Sequence, residues 1–394
     1  MIRISDIFKK AKENEDNEKI VEESPPKSVR KKISPKPVKP KAVEKVVPPE
    51  TKADKEQKPR VEEPRKEEPE TSGVRISSLM GKKSKTASGK ETLNIYEETM
   101  SLMRETLKKD IDYESIDASR IIAQVEKVIE QLVLGNENML MLAFIKDSRD
   151  ENYLLCHSVN VCIFSIEIGL GLGYEKSKLI DLGVSAILHD IGMVEYMYLV
   201  KHPRKLTPKE YEEIKKHPIK GSEILEKING LNKVALYVAH QHHERIDGSG
   251  YPRGLKEEFI NEYAMIVSLV DGYEAMMNMR VYRDEFLPLE ALREILDNKK
   301  AFANKLIKIL IDRIGIFCVG SMVELNTKEI AQVVKINRRV SMRPVVKVIY
   351  EANGKEPKET KILDLTDHHN VYITKGLPKK TLEILVRETE EWKY

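Results

Sequence analysis

The sequence predicts an all-α body, preceded by a disordered tail and followed by a small β subdomain. Three observations lead there. Proline and positive charge crowd into the first ninety residues, apolar residues then recur at helical spacing to about residue 315, and short strand-like runs follow.

The tail comes first. Of 394 residues, 41% are apolar and 33% charged, and the charge is unevenly spread. Residues 1–90 hold 24 Lys+Arg against 16 Asp+Glu, a net of +8, while the remaining 304 hold 43 against 48, a net of −5. Ten of the eighteen prolines lie between Pro25 and Pro69, and Phe8 is the only aromatic residue in this segment. Such a stretch buries too little apolar surface to offset the entropy of ordering, so residues 1–92 are expected to be disordered. Near its two ends the tail repeats itself: Ile2-Arg3-Ile4-Ser5-Asp6-Ile7-Phe8 is similar to Val74-Arg75-Ile76-Ser77-Ser78-Leu79-Met80. Beside the default reading, a solvated linker, stands that of two docking motifs for a protein partner, held apart by a Pro/Lys/Glu-rich spacer. No aromatic residues interleave with the lysines to stack on bases, so binding of a nucleic-acid polymer is not expected.

Cys156, Cys162 and Cys318 lack C-x-x-C spacing, which excludes a disulfide framework and a thiolate zinc site and fits a reducing cytosol. There is no run of 18 apolar residues, and no apolar signal core opens the chain. The expectation is a cytoplasmic protein without a membrane span.

From about Glu91 the periodicity becomes helical. Ile121, Ile122, Val125, Val128, Ile129 and Leu132 form a stripe at three- and four-residue steps, and similar stripes run through 154–170 and 179–188. Thr207-Pro208-Lys209-Glu210 is a capping box with proline at the first helical position, so a helix starts there. Val234–His243 and Tyr263–Met277 read as further buried helices, giving eight or nine over residues 93–316. Strands are expected at 322–325, 331–336, 344–350 and 371–373, separated by Asn-, Gly- and Asp-bearing turns, within a β subdomain at 317–377. Pro378 then opens a C-terminal helix within 378–394.

The chemical signal is a concentration of histidine. Six of nine histidines lie between His189 and His243, and His157 is a seventh nearby. His189-Asp190 follows an apolar helix, and His217 is in phase with Ile214, so it turns towards the core. His242 and His243 close the helix that begins near Val234. Asp271 sits in the apolar run 265–270 and onward, where an unpaired carboxylate is costly. Singly, each is explained as a structural core residue. Together, His157, His189, Asp190, His217, His242, His243 and Asp271 are seven N/O donors without a thiolate, which points to two hard or borderline divalent metals. His240 has no place in this pattern and reads as structural, and His368-His369 reads as a surface pair.

His189-Asp190, His217-Pro218 and His242-His243-Glu244-Arg245-Ile246-Asp247-Gly248-Ser249-Gly250-Tyr251-Pro252 together resemble the HD-GYP domain, the branch of the HD superfamily that hydrolyses the bacterial messenger cyclic di-GMP. The likeness extends upstream through His157-Ser158-Val159-Asn160-Val161 and downstream through Asp271-Gly272-Tyr273-Glu274-Ala275 and Arg280-Val281-Tyr282-Arg283. It implies an HD-superfamily helical bundle with two divalent metals, iron or manganese foremost. His157, His189, Asp190 and Asp271 would hold one metal, and Asp190 would bridge to a second held by His217, His242 and His243. A bridging hydroxide would attack the phosphodiester, giving the linear dinucleotide, GMP or both. Glu244 and Asp247 would assist catalysis by orienting ligand imidazoles, with a loop acid and a turn former as the plainer alternatives. Gly250, Tyr251 and Pro252 would border the substrate, and Arg280 and Arg283 would hold its phosphate. A dimer is compatible with the resemblance.

Two departures stand out. The family's HD-x-G-K reads His189-Asp190-Ile191-Gly192-Met193 here, removing a cation from the site. Tyr153 stands where some members carry a Glu for a third metal, so two are expected. Met193 keeps open a rival reading, a catalytically weak cyclic di-GMP receptor that signals through its tail or β subdomain. Hydrolysis of a related cyclic dinucleotide is the third.

Overall fold

The structure is a computed structural model, and the residues it describes are 89–109, 111–145, 153–200, 204, 206–277, 287–338 and 340–378. Residues 1–88 of the tail, Arg280, Arg283 and the segment after Pro378 lie outside the described residues, as does the C-terminal helix expected there, whereas residues 89–92, expected to be disordered, open the first helix.

Twelve α-helices precede the sheet among the described residues: α1 Gly89–Thr106, α2 Ala118–Val133, α3 Glu137–Ile145, α4 Tyr153–Leu172, α5 Lys176–Leu188, α6 Met197–Val200, α7 Pro208–Ile214, α8 His217–Leu225, α9 Val234–Gln241, α10 Glu262–Met277, α11 Pro288–Asp297 and α12 Asn304–Ile314. The number exceeds the expected eight or nine because short pieces such as α6, four residues long, leave no periodicity to read. The stripe on α2 is buried at Ile121, Val125, Val128, Ile129 and Leu132, and Asp117 caps the helix through the backbone N–H of Ser119. Thr207 and Glu210 form the reciprocal capping box of α7.

The bundle is organised around α4. Every residue from Leu154 to Gly169 is buried, which a single apolar stripe would not produce. By length and composition this helix is apolar enough to cross a membrane, yet 89% of the relevant window is buried inside the protein. Two of its polar residues are partnered across the core. Tyr96 Oη donates to Asn160 Oδ1 at 3.0 Å, and Arg313 on α12 donates to Glu167 at 2.8 Å. Gly183 of α5 marks a close crossing, because a Cβ there would lie 2.6 Å from Val125.

Five antiparallel strands follow among the described residues: β1 Met322–Leu325, β2 Ile330–Lys335, β3 Val345–Tyr350, β4 Ile362–Asp364 and β5 Ile373–Leu377, in the order β4-β3-β2-β1-β5. Met322 pairs with Gln332 and Val346 with Leu363. Alternation buries Ala331 and Val333 on β2 and Val346, Val348 and Tyr350 on β3, so one face packs inward. The expected strands are present within two residues at their starts, but β5 runs to Leu377, and β4 was not expected. Three residues between charged and turn-forming neighbours carry too little alternation to announce a strand. The sheet meets the helices where Tyr273 of α10 lies 3.1 Å from Cys318 Sγ.

Candidate metal centre

Six elements deliver the seven candidate donors. His157 sits in the first turns of α4, His189 caps the C-terminus of α5, and Asp190 leads into the 3-10 turn Ile191–Glu195. His217 opens α8, His242 caps α9 with His243 next, and Asp271 lies within α10. Gly192 lets the 3-10 turn reach α8, since a Cβ there would stand 2.1 Å from the His217 carbonyl oxygen and 2.6 Å from Gly221 N. Only a residue without a side chain fits between Asp190 and His217 at that approach.

The seven fall into two adjoining groups, Asp190–His217–His242–His243 and His157–His189–Asp271. Asp190 faces both. Its Oδ1 lies 3.1 Å from His217 Nε2 and 3.4 Å from His242 Nε2, while Oδ2 lies 3.8 Å from the Nε2 atoms of both His157 and His189. Asp271 likewise has Oδ1 3.2 Å from His157 Nε2 and Oδ2 3.6 Å from His243 Nδ1.

The backbone sets which ring nitrogens are free. The Nδ1 atoms of His189, His217 and His242 donate to the carbonyls of Ala186, Ile214 and Ala239 at 2.7, 2.8 and 2.9 Å. That places the proton on Nδ1 and leaves an Nε2 lone pair on each ring. The Nε2 atoms of His217 and His242 are then 3.2 Å apart with no proton between them, and Asp190 Oδ1 points at the same spot. His189 Nε2 is buried without a hydrogen-bond partner. Converging lone pairs repel, and a cation among them removes the repulsion; the donors therefore fit a divalent metal. Glu274 of α10, 0% exposed, supplies the outer support: its Oε2 lies 2.5 Å from His157 Nδ1 and its Oε1 accepts from Asn160 Nδ2 at 2.9 Å.

The electrostatics agree with the donor set. Burial drives His189 down to about 4 and His243 well below its ordinary value, so both rings stay neutral at pH 7. For His157 burial opposes the charge, but Glu274, Tyr153 and Asp271 together outweigh it and raise the imidazole. Burial also opposes ionisation of Asp271, yet its hydrogen bond from His157 and the charge of the histidines nearby hold its carboxyl far below the usual range.

The Gly-rich loop forms the rim. Tyr251 stacks on His243, ring centroids 4.6 Å apart, and Gly250 folds onto the His243–Arg245 backbone so tightly that a Cβ would lie 2.4 Å from Arg245 N. The Tyr251-Pro252 peptide is cis. Two expectations are corrected here. Glu244, 1% exposed, spends its carboxylate on the backbone N–H groups of Arg253 and Leu255, both at 2.8 Å, rather than on an imidazole. Asp247 is exposed and accepts from the N–H and hydroxyl of Ser249 in a tight turn. Both shape the loop; the plainer alternative describes them, because each sits where loop N–H groups claim its oxygens. Met193 is half-buried and packs against the apolar core. Glu274 and Arg245 stand within the motif, but nothing in their sequence position marks a role. Arg245 donates to the His242 and Glu244 carbonyls and to Ser268, tying the loop to α10.

Comparison with known proteins agrees with this site. Residues 148–304 match the family model of the HD domain, and residues 322–385 that of a KOW domain associated with the HD domain. The cyclic di-GMP phosphodiesterase PA4108 of Pseudomonas aeruginosa is 29% identical over 253 residues, covering 64% of this chain and 61% of that protein. The cyclic di-GMP phosphodiesterase PdeB of Borreliella burgdorferi is also 29% identical, over 59% of this chain and 62% of that one. The chain thus spans about three fifths of the length of these relatives. Among solved structures, Bd1817, a HDG"Y"P protein from Bdellovibrio bacteriovorus, aligns with a TM-score of 0.49 at 20% identity, covering 60% of this chain and 76% of that one. Residues 148–304 are thus similar to the HD domain family, and residues 322–385 to the KOW domain associated with it.

Proposed function

We infer that the chain is a metal-dependent phosphodiesterase acting on cyclic di-GMP, holding two divalent cations, iron or manganese. The observation that carries this reading is Asp190, whose two oxygens face two separate imidazole groups. When bound, such a pair of cations supplies a hydroxide nucleophile at neutral pH and neutralises charge on the phosphodiester. The protein's own residues arrange the rest. Asp190 and Asp271 hold the two donor groups in register, Glu274 fixes the His157 ring through Nδ1, and backbone carbonyls fix three further rings. Tyr251, stacked on His243, offers an aromatic wall to a guanine base. Arg280 and Arg283, by their place in the motif, would hold phosphate oxygens. Hydrolysis adds one water across a phosphodiester bond and opens the ring to the linear dinucleotide; a second addition yields GMP. Such an enzyme would work in the cytoplasm, where the messenger is made.

Met193 is the observation on the side of the receptor reading, because no ammonium enters the site from that position. The complete donor set stands against it. Full-length protein, reconstituted anaerobically with iron(II) or manganese(II), separates the two when turnover and binding of cyclic di-GMP are scored independently. Binding without turnover at full metal loading would establish the receptor.

A further inference from the structure

We propose that Lys215 is a substrate-binding residue, its ammonium holding the second, uncleaved phosphate of a cyclic dinucleotide at the rim of the metal centre. The assignment rests on the phosphodiesterase reading above and deepens it.

Lys215 caps the C-terminus of α7, two residues before His217. Its Nζ stands over two aromatic faces, 4.8 Å from the centroid of Tyr211 and 5.7 Å from that of Tyr251. Tyr251 in turn stacks on His243. The ammonium is therefore one ring beyond a metal ligand, on the rim rather than among the donors. A cyclic dinucleotide carries two phosphodiesters on opposite sides of one macrocycle. With the scissile phosphate at the metal centre, the other must face the rim, and a compact charge on a flexible stem suits it there.

The side chain is poised rather than committed. It is 29% exposed, and Nζ meets Glu212 Oε1 at 2.7 Å, but Glu212 is itself 68% exposed. Ion pairs of that kind are worth little in water, so a phosphate can displace the carboxylate. The two tyrosine faces favour a cation at this spot whether or not Glu212 stays bound. Arg245, another cation close to the loop, has its guanidinium engaged by the His242 and Glu244 carbonyls and Ser268.

The test uses metal-loaded, full-length protein and two substrates. Cyclic di-GMP has two phosphodiesters, whereas bis(p-nitrophenyl) phosphate has one and no far side to hold. For Lys215→Ala, the KM for cyclic di-GMP should rise about tenfold with kcat nearly unchanged. The ratio of kcat/KM between the dinucleotide and the single diester should fall by the same factor, and Lys215→Arg should recover most of it. A merely structural lysine would lower both substrates together. An unchanged ratio in Lys215→Ala, beside a wild type that turns over cyclic di-GMP, overturns the role of Lys215 alone. A wild type that fails on cyclic di-GMP overturns the underlying reading, and the assignment with it.

Discussion

Glu274 Oε2 lies 2.5 Å from His157 Nδ1, joining α10, which carries Asp271, to α4, which carries the first histidine. A carboxylate on the far nitrogen of a ligand ring fixes the tautomer and raises the basicity of the near one.

Glu274→Gln should therefore leave the helices folded and weaken metal binding by about 10–100-fold. Metal titration of the variant, beside its circular dichroism, checks this. Wild-type affinity would mean that the hydrogen bond to His157 does not support the centre.

Gly192→Ala should do damage of another kind. The added methyl group meets the His217 carbonyl and the Gly221 backbone, neither of which can rotate away. Overpacking of this sort costs about 1–3 kcal/mol. It should also separate Asp190 from His217, so the melting temperature and the metal content should fall together.

Glu137 gives the fold a pH dependence away from the metals. Burial raises its carboxyl to about 7, and Oε2 is buried without a hydrogen-bond partner. A carboxyl whose folded value lies above its unfolded value of 4.5 favours folding when protonated. That contribution is full below about pH 4.5 and is lost as pH rises through 7. Glu137→Gln should thus stabilise the protein by about 1–2 kcal/mol at pH 8 and hardly at all at pH 4.5, in denaturant unfolding at the two pH values. A gain of equal size at both would contradict a buried, titrating Glu137.

Met193→Lys asks what the missing ammonium costs. The position follows Asp190 by three residues, and the wild-type side chain packs on the apolar core. A donor aimed at transition-state charge is typically worth on the order of 10²–10³ in rate, of which other cations at the site already supply part. The expected gain is about tenfold, or about 1.4 kcal/mol off the barrier. A buried lysine beside two cations has a lowered pKa, so the gain should grow towards higher pH. Steady-state rates across pH 6–9 at matched metal loading check it. An unchanged rate would mean that position 193 does not face the phosphate.

Much of this was legible in the sequence, for identifiable reasons. The stripe Ile121–Leu132 and the capping box at Thr207 are local signals, and each sets its own helix. The seven donors stood out because histidine and aspartate are rarely placed in apolar runs without a partner. What the sequence hid was orientation. Glu244 lies beside two histidines in the chain, yet its carboxylate turns back to Arg253 and Leu255. Glu274 is 117 residues from His157, and only the crossing of α10 on α4 brings them together. Lys215 meets Tyr251 through tertiary packing of the same kind.

The account depends most on Asp190 as the residue shared by two metal sites. Elemental analysis of metal per chain, in wild type and in Asp190→Ala reconstituted side by side, tests it most directly. The account predicts two metals per chain in the wild type, close to none in the variant, and loss of cyclic di-GMP hydrolysis with them while the helical signal persists. A variant that keeps two metals per chain would contradict it.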